Sequence, residues 1–232
     1  MPQLIAMIII VVAAMIYMFQ TFGGTGDKIE GVAQKTSVIT EINNIKSGLK
    51  FAARAGRIAD DNVTDANGVD YYNNLHGLAF ESYFAEQMNE QLRNDENGAE
   101  RADDAVFNIY SAISFGGNSA NAVAETGAML ISLVADVPGA VPGIYVDLRN
   151  GSLVDNAGFL ESEIANDLRS IATIDRNALT ATAGALPASG TPLERRTPAP
   201  NGEAGTNNDG VFIIYFNDFG SNEVVRDNTT IN

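Results

Sequence analysis

The chain of 232 residues has no cysteine, no tryptophan and a single histidine, His76. Without cysteine there is no disulfide framework, no thiolate metal site and no thiol nucleophile, and one histidine excludes the usual multi-histidine zinc and iron sites. Charge is also missing in places. No charged side chain precedes Asp27, and no lysine follows Lys50. The formal net charge is −15 with a pI near 4.3, which argues against a general nucleic-acid binder. No G-x-S-x-G, phosphate loop or dinucleotide fingerprint occurs, and no internal repeat is evident.

The uncharged start is rich in apolar residues. Between Leu4 and Phe22, 19 residues contain only Gln20 and Thr21 as polar interruptions. As a helix this run is roughly 28 Å long, close to the roughly 30 Å hydrocarbon core of a bilayer. Apolar on every face, it requires lipid or other helices around it. A cleavable secretory signal needs a basic leader region, which is absent here, so Met1 is expected to be the first residue of a processed chain whose basic leader has been removed. Gly23, Gly24 and Gly26 then weaken the helix.

A second helical pattern follows, its apolar residues Val38, Ile42, Ile45, Leu49 and Ala52 spaced four, three, four and three apart, with Ile29 and Val32 extending the stripe backward. This spacing predicts an amphipathic helix of about eight turns with one packing face. Lys28, Lys35, Lys46, Lys50, Arg54 and Arg57 outnumber Asp27, Glu30 and Glu41 along it, a balance of +3. From Ile58 onward 8 arginines meet 26 acids, a balance of −18. The chain thus divides into an N-terminal helix, 1–57 (1–26 membrane or filament core, 27–57 amphipathic stalk), and an acidic head, 58–232.

An apolar helix that runs into an amphipathic one and then into a head without enzyme-like motifs resembles the type IV pilins, the type IVb branch in particular, or the related pseudopilins. The resemblance covers residues 1 to about 57. It implies that the apolar helix holds the subunit in the inner membrane before assembly and forms the core of an extracellular filament afterwards. The polymerisation and membrane core would then comprise Met1, Leu4, Ile5, Met7, Ile8, Ile9, Val11, Val12, Met15, Ile16 and Phe19. It further implies N-terminal methylation at Met1, a leader peptidase and pilus assembly machinery as partners, and self-association into a helical homopolymer. The chain departs from the family where Ile5 replaces the usual glutamate that pairs with a neighbour's amino terminus. The family's helix-breaking proline is also missing, with the three glycines placed to unwind the backbone instead. Two alternatives stay open: a pseudopilin of a secretion or DNA-uptake machine, and a single-pass membrane-anchored extracytoplasmic binding protein.

The head reads as α+β with a small antiparallel sheet. Residues 59–70 are turn-rich and read as a loop. Helices are expected over Leu75 to Arg93, Ala122 to Ala135 (closed by Pro138 and Pro142) and 159–171. Ile144, Val146 and Leu148 alternate before Asn150-Gly151, which predicts a hairpin with Ser152 to Val154 as the return strand. Residues 210–219 are apolar on both faces and predict a central strand. Residues 184–210 hold four of the seven prolines and read as a long exposed loop. Val38, Ile42, Ile45 and Leu49 are expected to pack the stalk on the head, Phe51 to join that packing, and Lys46, Lys50, Arg54 and Arg57 to neutralise acids of the same or a neighbouring head.

Chemical candidates are few. Asp61, Asp65 and Asp70 invite a calcium reading, but aligning Asp65, Asn67 and Gly68 with the calcium-loop consensus puts Val63 at the first ligand position and Asn74 at the last, so a solvated acidic loop is the default. His76 lacks a motif partner and is read as a surface or cap residue. Asp103-Asp104 and Glu161/Glu163 would support hydrolysis only across a cleft. Sequons begin at Asn62, Asn150 and Asn228, candidate glycosylation sites in a triplet short enough to arise by chance. No catalytic residue, metal or cofactor is assigned.

Overall fold

The computed structural model of the chain describes residues 31–93, 129–149, 151–176 and 208–231. Within them the architecture is α+β. A long helix, α1, is helical from 31 to 54, and its inner face shares one core with a four-stranded antiparallel sheet. Gly56, at φ 67°, ends it: the Gly56 amide donates to the Ala53 carbonyl and the Arg57 amide to that of Ala52, satisfying two carbonyls that the helix leaves open.

The 59–70 segment, expected as plain loop, contains a short hairpin of β1 (Val63–Thr64) and β2 (Asp70–Tyr71). The Asp65 carboxylate fixes its turn by accepting from the Asn67 and Val69 amides. The single helix expected from Leu75 to Arg93 is two, α2 (Leu75–Phe80) and α3 (Glu86–Arg93). Asn74 caps α2 by accepting from the Gly77 amide. The break comes at Ser82, whose φ of 62° carries the same two-bond C-terminal closure as Gly56. Tertiary packing explains it. The turn sends Phe84 into the core against Gly48 of α1, where a methyl group on Gly48 would lie 2.3 Å from the ring. The Asn89 side chain then bonds both the amide and the carbonyl of Phe84.

Strands β3 (Leu130–Val134), β4 (Gly143–Asp147), β5 (Ala172–Asp175) and β6 (Val211–Phe216) form the main sheet in the order β3-β4-β6-β5, each pair antiparallel. β6 is central and buried along its whole length: Phe212, Ile214 and Phe216 enter the main core, while Val211, Ile213 and Tyr215 lie in a smaller cluster with Val134 and Tyr145.

Two expectations fail here. The helix expected to end at Ala135 is strand β3 over its last turn, because a short apolar run fits either period and the pairing of Ile131 with Val146 and Leu133 with Ile144 decides for the strand; residues 122–128 lie outside the described residues. Pro138 and Pro142 accordingly fall in the β3–β4 connection rather than after a helix. The hairpin after β4 does not form either. Residues Gly151–Asn156 are a 3₁₀ turn leading into α4 (Ala157–Leu168), since β4 already has β3 and β6 as partners. Asn150 itself lies outside the described residues, as does the 184–210 loop apart from its last three residues.

Candidate functional site: the long helix and its contacts

Around α1 the residues sort into three strips. On the inner strip Val38, Ile42, Ile45 and Leu49 are each 0% exposed, joined by Ala52 and Ala53. Burying a side chain of this size stabilises by roughly 1.5–3 kcal/mol, so this strip dominates the attachment of the helix.

Beside it runs a cationic edge. Lys35 pairs with Glu163 at 3.4 Å and Asp167 at 3.0 Å on α4. Lys46 reaches Asp218 at 2.7 Å, Lys50 lies between Asp218 (3.8 Å) and Glu223 (3.7 Å), and Arg54 donates from Nε and Nη2 to Glu223 Oε1 at 3.0 and 2.6 Å. The ammonium groups of Lys46 and Lys50 also sit over Phe216 and Phe219, at 5.1 and 5.6 Å, two rings stacked 5.8 Å apart. The helix's positive charge is therefore met by acids of its own head. Arg57 does otherwise than expected: Nη1 donates to the Asp70 carbonyl at 2.6 Å, with the guanidinium by the Tyr71 ring.

Asp218 and Glu223 are 168 and 169 residues away from the cations they bond, and no motif in the sequence marks them. The only hint is the bulk excess of acid. Glu223 is held below the usual carboxylate range first by the Gly220 amide and then by Arg54 and Lys50. Burial would raise Asp218, but Lys46 and Lys50 outweigh it and the net pull is downward. A depressed folded value means stability that is present above the ordinary values of 4.5 and 3.8 and lost as pH falls through the lower folded ones. The difference in melting temperature between wild type and Glu223→Gln, measured on the full chain in detergent, is thus expected to be constant from pH 7 to about 5 and to shrink toward pH 2. A difference that stays the same to pH 2 contradicts the assignment.

The outer strip is neutral. Of the exposed positions of α1, Val32, Ala33, Thr36, Thr40, Asn44, Ser47 and Phe51 are uncharged, and the last, Arg54, is paired with Glu223. Three hydroxyls turn back on the helix, Thr36 to the Val32 carbonyl, Thr40 to that of Thr36 and Ser47 to that of Asn43. Two expectations are corrected on this strip. Phe51 is 61% exposed and Val32 is 53% exposed, so neither packs on the head. At about 100° per residue both lie well off the arc of Val38 to Leu49, and apolar character alone does not decide the facing of a residue.

The remaining candidates are dispersed. Asp61 bonds the Asn62 amide, Asp65 holds its turn and Asp70 accepts from the Thr64 hydroxyl; among the described residues no group of three or more His, Cys, Asp or Glu is arranged to hold a metal. His76 is buried in the first turn of α2, not at the surface. Glu161 and Glu163 do not share a cleft: Glu161 is buried against Arg176 (2.7 Å) and the Gly210 amide (2.8 Å), while Glu163 meets Lys35. Burial raises Glu161 despite those bonds. Asn62 is exposed, its side-chain oxygen accepting from the Asn73 amide, and Asn228 opens a final 3₁₀ turn (Asn228–Thr230). Asp103-Asp104, Met1, the proposed core from Leu4 to Phe19 and Gly23, Gly24 and Gly26 lie outside the described residues. Among the described residues no helix is long and apolar enough to cross a membrane. Comparison of the chain with protein-family models, curated proteins and solved structures yields no match.

Proposed function

We propose that the chain is a structural subunit of an extracellular type IV pilus-like filament, stored in the inner membrane and polymerised through its N-terminal apolar helix. In this reading residues 4–22 extend α1 toward the N-terminus, past the glycines at 23, 24 and 26. The observation that carries it is the division of α1. One face is consumed by the head and the cationic edge is satisfied by the head's own acids, yet the outer face from Val32 to Phe51 exposes only uncharged residues on a chain of net charge −15. Copies carrying that charge repel one another over most of their surface. A neutral rod face, downstream of an all-apolar segment on the same chain, is where they can meet.

Assembly by this route keeps apolar contact throughout. Lipid around residues 4–22 is exchanged for equivalent helices, and the small Ala6, Ala13 and Ala14 allow close approach. The proposal needs no catalytic group and assigns none. It is tested by mass measurement of the N-terminal peptide from cells that express the chain with its native upstream sequence. A leader removed to leave a methylated amine on Met1, with the chain as the principal component of isolated filaments, is the expected result. An unprocessed terminus overturns it.

A further inference from the structure

Two exposed apolar patches sit at opposite ends of the described part of α1. At the C-terminal end Phe51 is 61% exposed, and one turn on Arg54 keeps 63% of its side chain exposed while bonded to Glu223. At the N-terminal end Val32 is 53% exposed beside Gly31, and the ring of Phe159 from α4 rests on the Gly31 backbone, where a methyl group would lie 3.1 Å away, yet remains 46% exposed. One turn along α4 from Phe159 stands Glu163, and one turn further Asp167; both share Lys35 and keep 38% and 46% of their side chains exposed. One end therefore presents an aromatic knob with a cation, the other an apolar notch with acids.

We propose that these ends are the two halves of one contact between copies of this chain: Phe51 and Arg54 of one subunit dock against Val32, Phe159 and Glu163 of the next. The inference rests on the filament reading and specifies a contact within it. Because the halves differ, the contact is heterologous and cannot close a twofold dimer on itself; it propagates. Twenty residues separate 31 from 51, so the contact relates copies displaced by roughly 30 Å along the helix, and the about 100° between Val32 and Phe51 around α1 adds a rotation, which together generate a helix rather than a straight stack. Charge favours this pairing over the reverse one, since Phe51 against Phe51 would bring Arg54 to Arg54 and Phe159 against Phe159 would bring acid to acid.

The absence of cysteine makes the test clean. Filaments assembled from the full-length double variant Phe51→Cys/Phe159→Cys are treated with a short bis-maleimide and run under denaturing conditions. A ladder of covalent oligomers is expected, with no oligomers from either single variant. Phe51→Glu is expected to lower filament yield at least about tenfold while the melting temperature of the subunit stays within a degree or two of wild type, because Phe51 is 61% exposed and belongs to neither core cluster of its own subunit. Filaments that form from the double variant without a ladder overturn this contact and leave the filament reading standing, as does a normal yield from Phe51→Glu. A wild-type chain that is processed and abundant but never polymerises overturns both.

Discussion

Leu49→Asp is expected to unfold the head. Leu49 is 0% exposed in the centre of the strip that binds α1 to the sheet, with Ile45 and Ala52 on either side. The substitution removes an aliphatic group worth 2–5 kcal/mol in such a site and puts a carboxylate where no cation is placed to receive it; the cations of α1 are on the neighbouring edge, already engaged. The combined loss is at least about 4 kcal/mol, a large part of the 5–15 kcal/mol that a domain possesses. In a chain of this length it lowers the melting temperature by more than about 10 °C or removes the cooperative transition altogether. Ile42→Asp is expected to do the same. Thr40→Asp, on the opposite, exposed side of α1, is expected to change stability by less than about 0.5 kcal/mol. The pair is read by circular dichroism melts of the full chain in detergent, and a Leu49→Asp protein that melts within two degrees of wild type would show that α1 is not held by this strip.

The second large effect falls on a different step. Ile9→Asp, near the middle of the apolar segment, is expected to abolish both membrane storage and assembly while leaving the head folded. An aspartate near the middle of a membrane helix costs about 3 kcal/mol on insertion, and in a filament core it would be surrounded by equivalent apolar helices with no water to solvate it. Val12→Asp should behave alike, and Ile9→Leu should be neutral. Fractionation of cells and counting of filaments give the answer: normal filaments from the Ile9→Asp strain refute the polymerisation role of this segment. Taken together, the two substitutions separate what holds the subunit together from what joins it to its neighbours.

The parts of the fold that were legible in the sequence are those fixed by a strong local period or by solvent alone. The spacing of Val38, Ile42, Ile45 and Leu49 is enough to define the buried face of α1, and the six-residue apolar run of β6 announces a strand covered on both sides. What misled was short-range. Leu130 to Val134 carries as much helical as strand character until β4 pairs with it, Asn150-Gly151 has turn chemistry that a sheet with β4 already flanked cannot use as a hairpin, and nothing between Glu81 and Ala85 announces a helix break whose cause is the space left by Gly48 in another element.

For the candidate site the division is similar. That the helix is basic and the head acidic follows from composition. Which acids meet which lysines does not, because Asp218 and Glu223 reach Lys50 and Arg54 across about 170 residues, and an ion pair leaves no periodic trace in the sequence. Phe51 is the opposite case: an aromatic residue on an amphipathic helix suggests core, but two residues beyond Leu49 it stands about 160° around α1 from that buried side chain, and the helical period already points it to solvent.

The sequence by itself therefore determined the distribution of hydrophobicity and charge: an uncharged apolar start, a one-faced helix of +3 and a head of −18. Tertiary structure alone decided how those charges are spent. By bringing the end of β6 and the turn at Gly220 under the edge of α1, it satisfies the cations of that edge within one subunit and leaves an uncharged outer face from Val32 to Phe51. The reason is range. Hydrophobic periodicity is read between neighbours three or four residues apart, whereas charge pairing and exposure depend on which distant segments the fold places side by side.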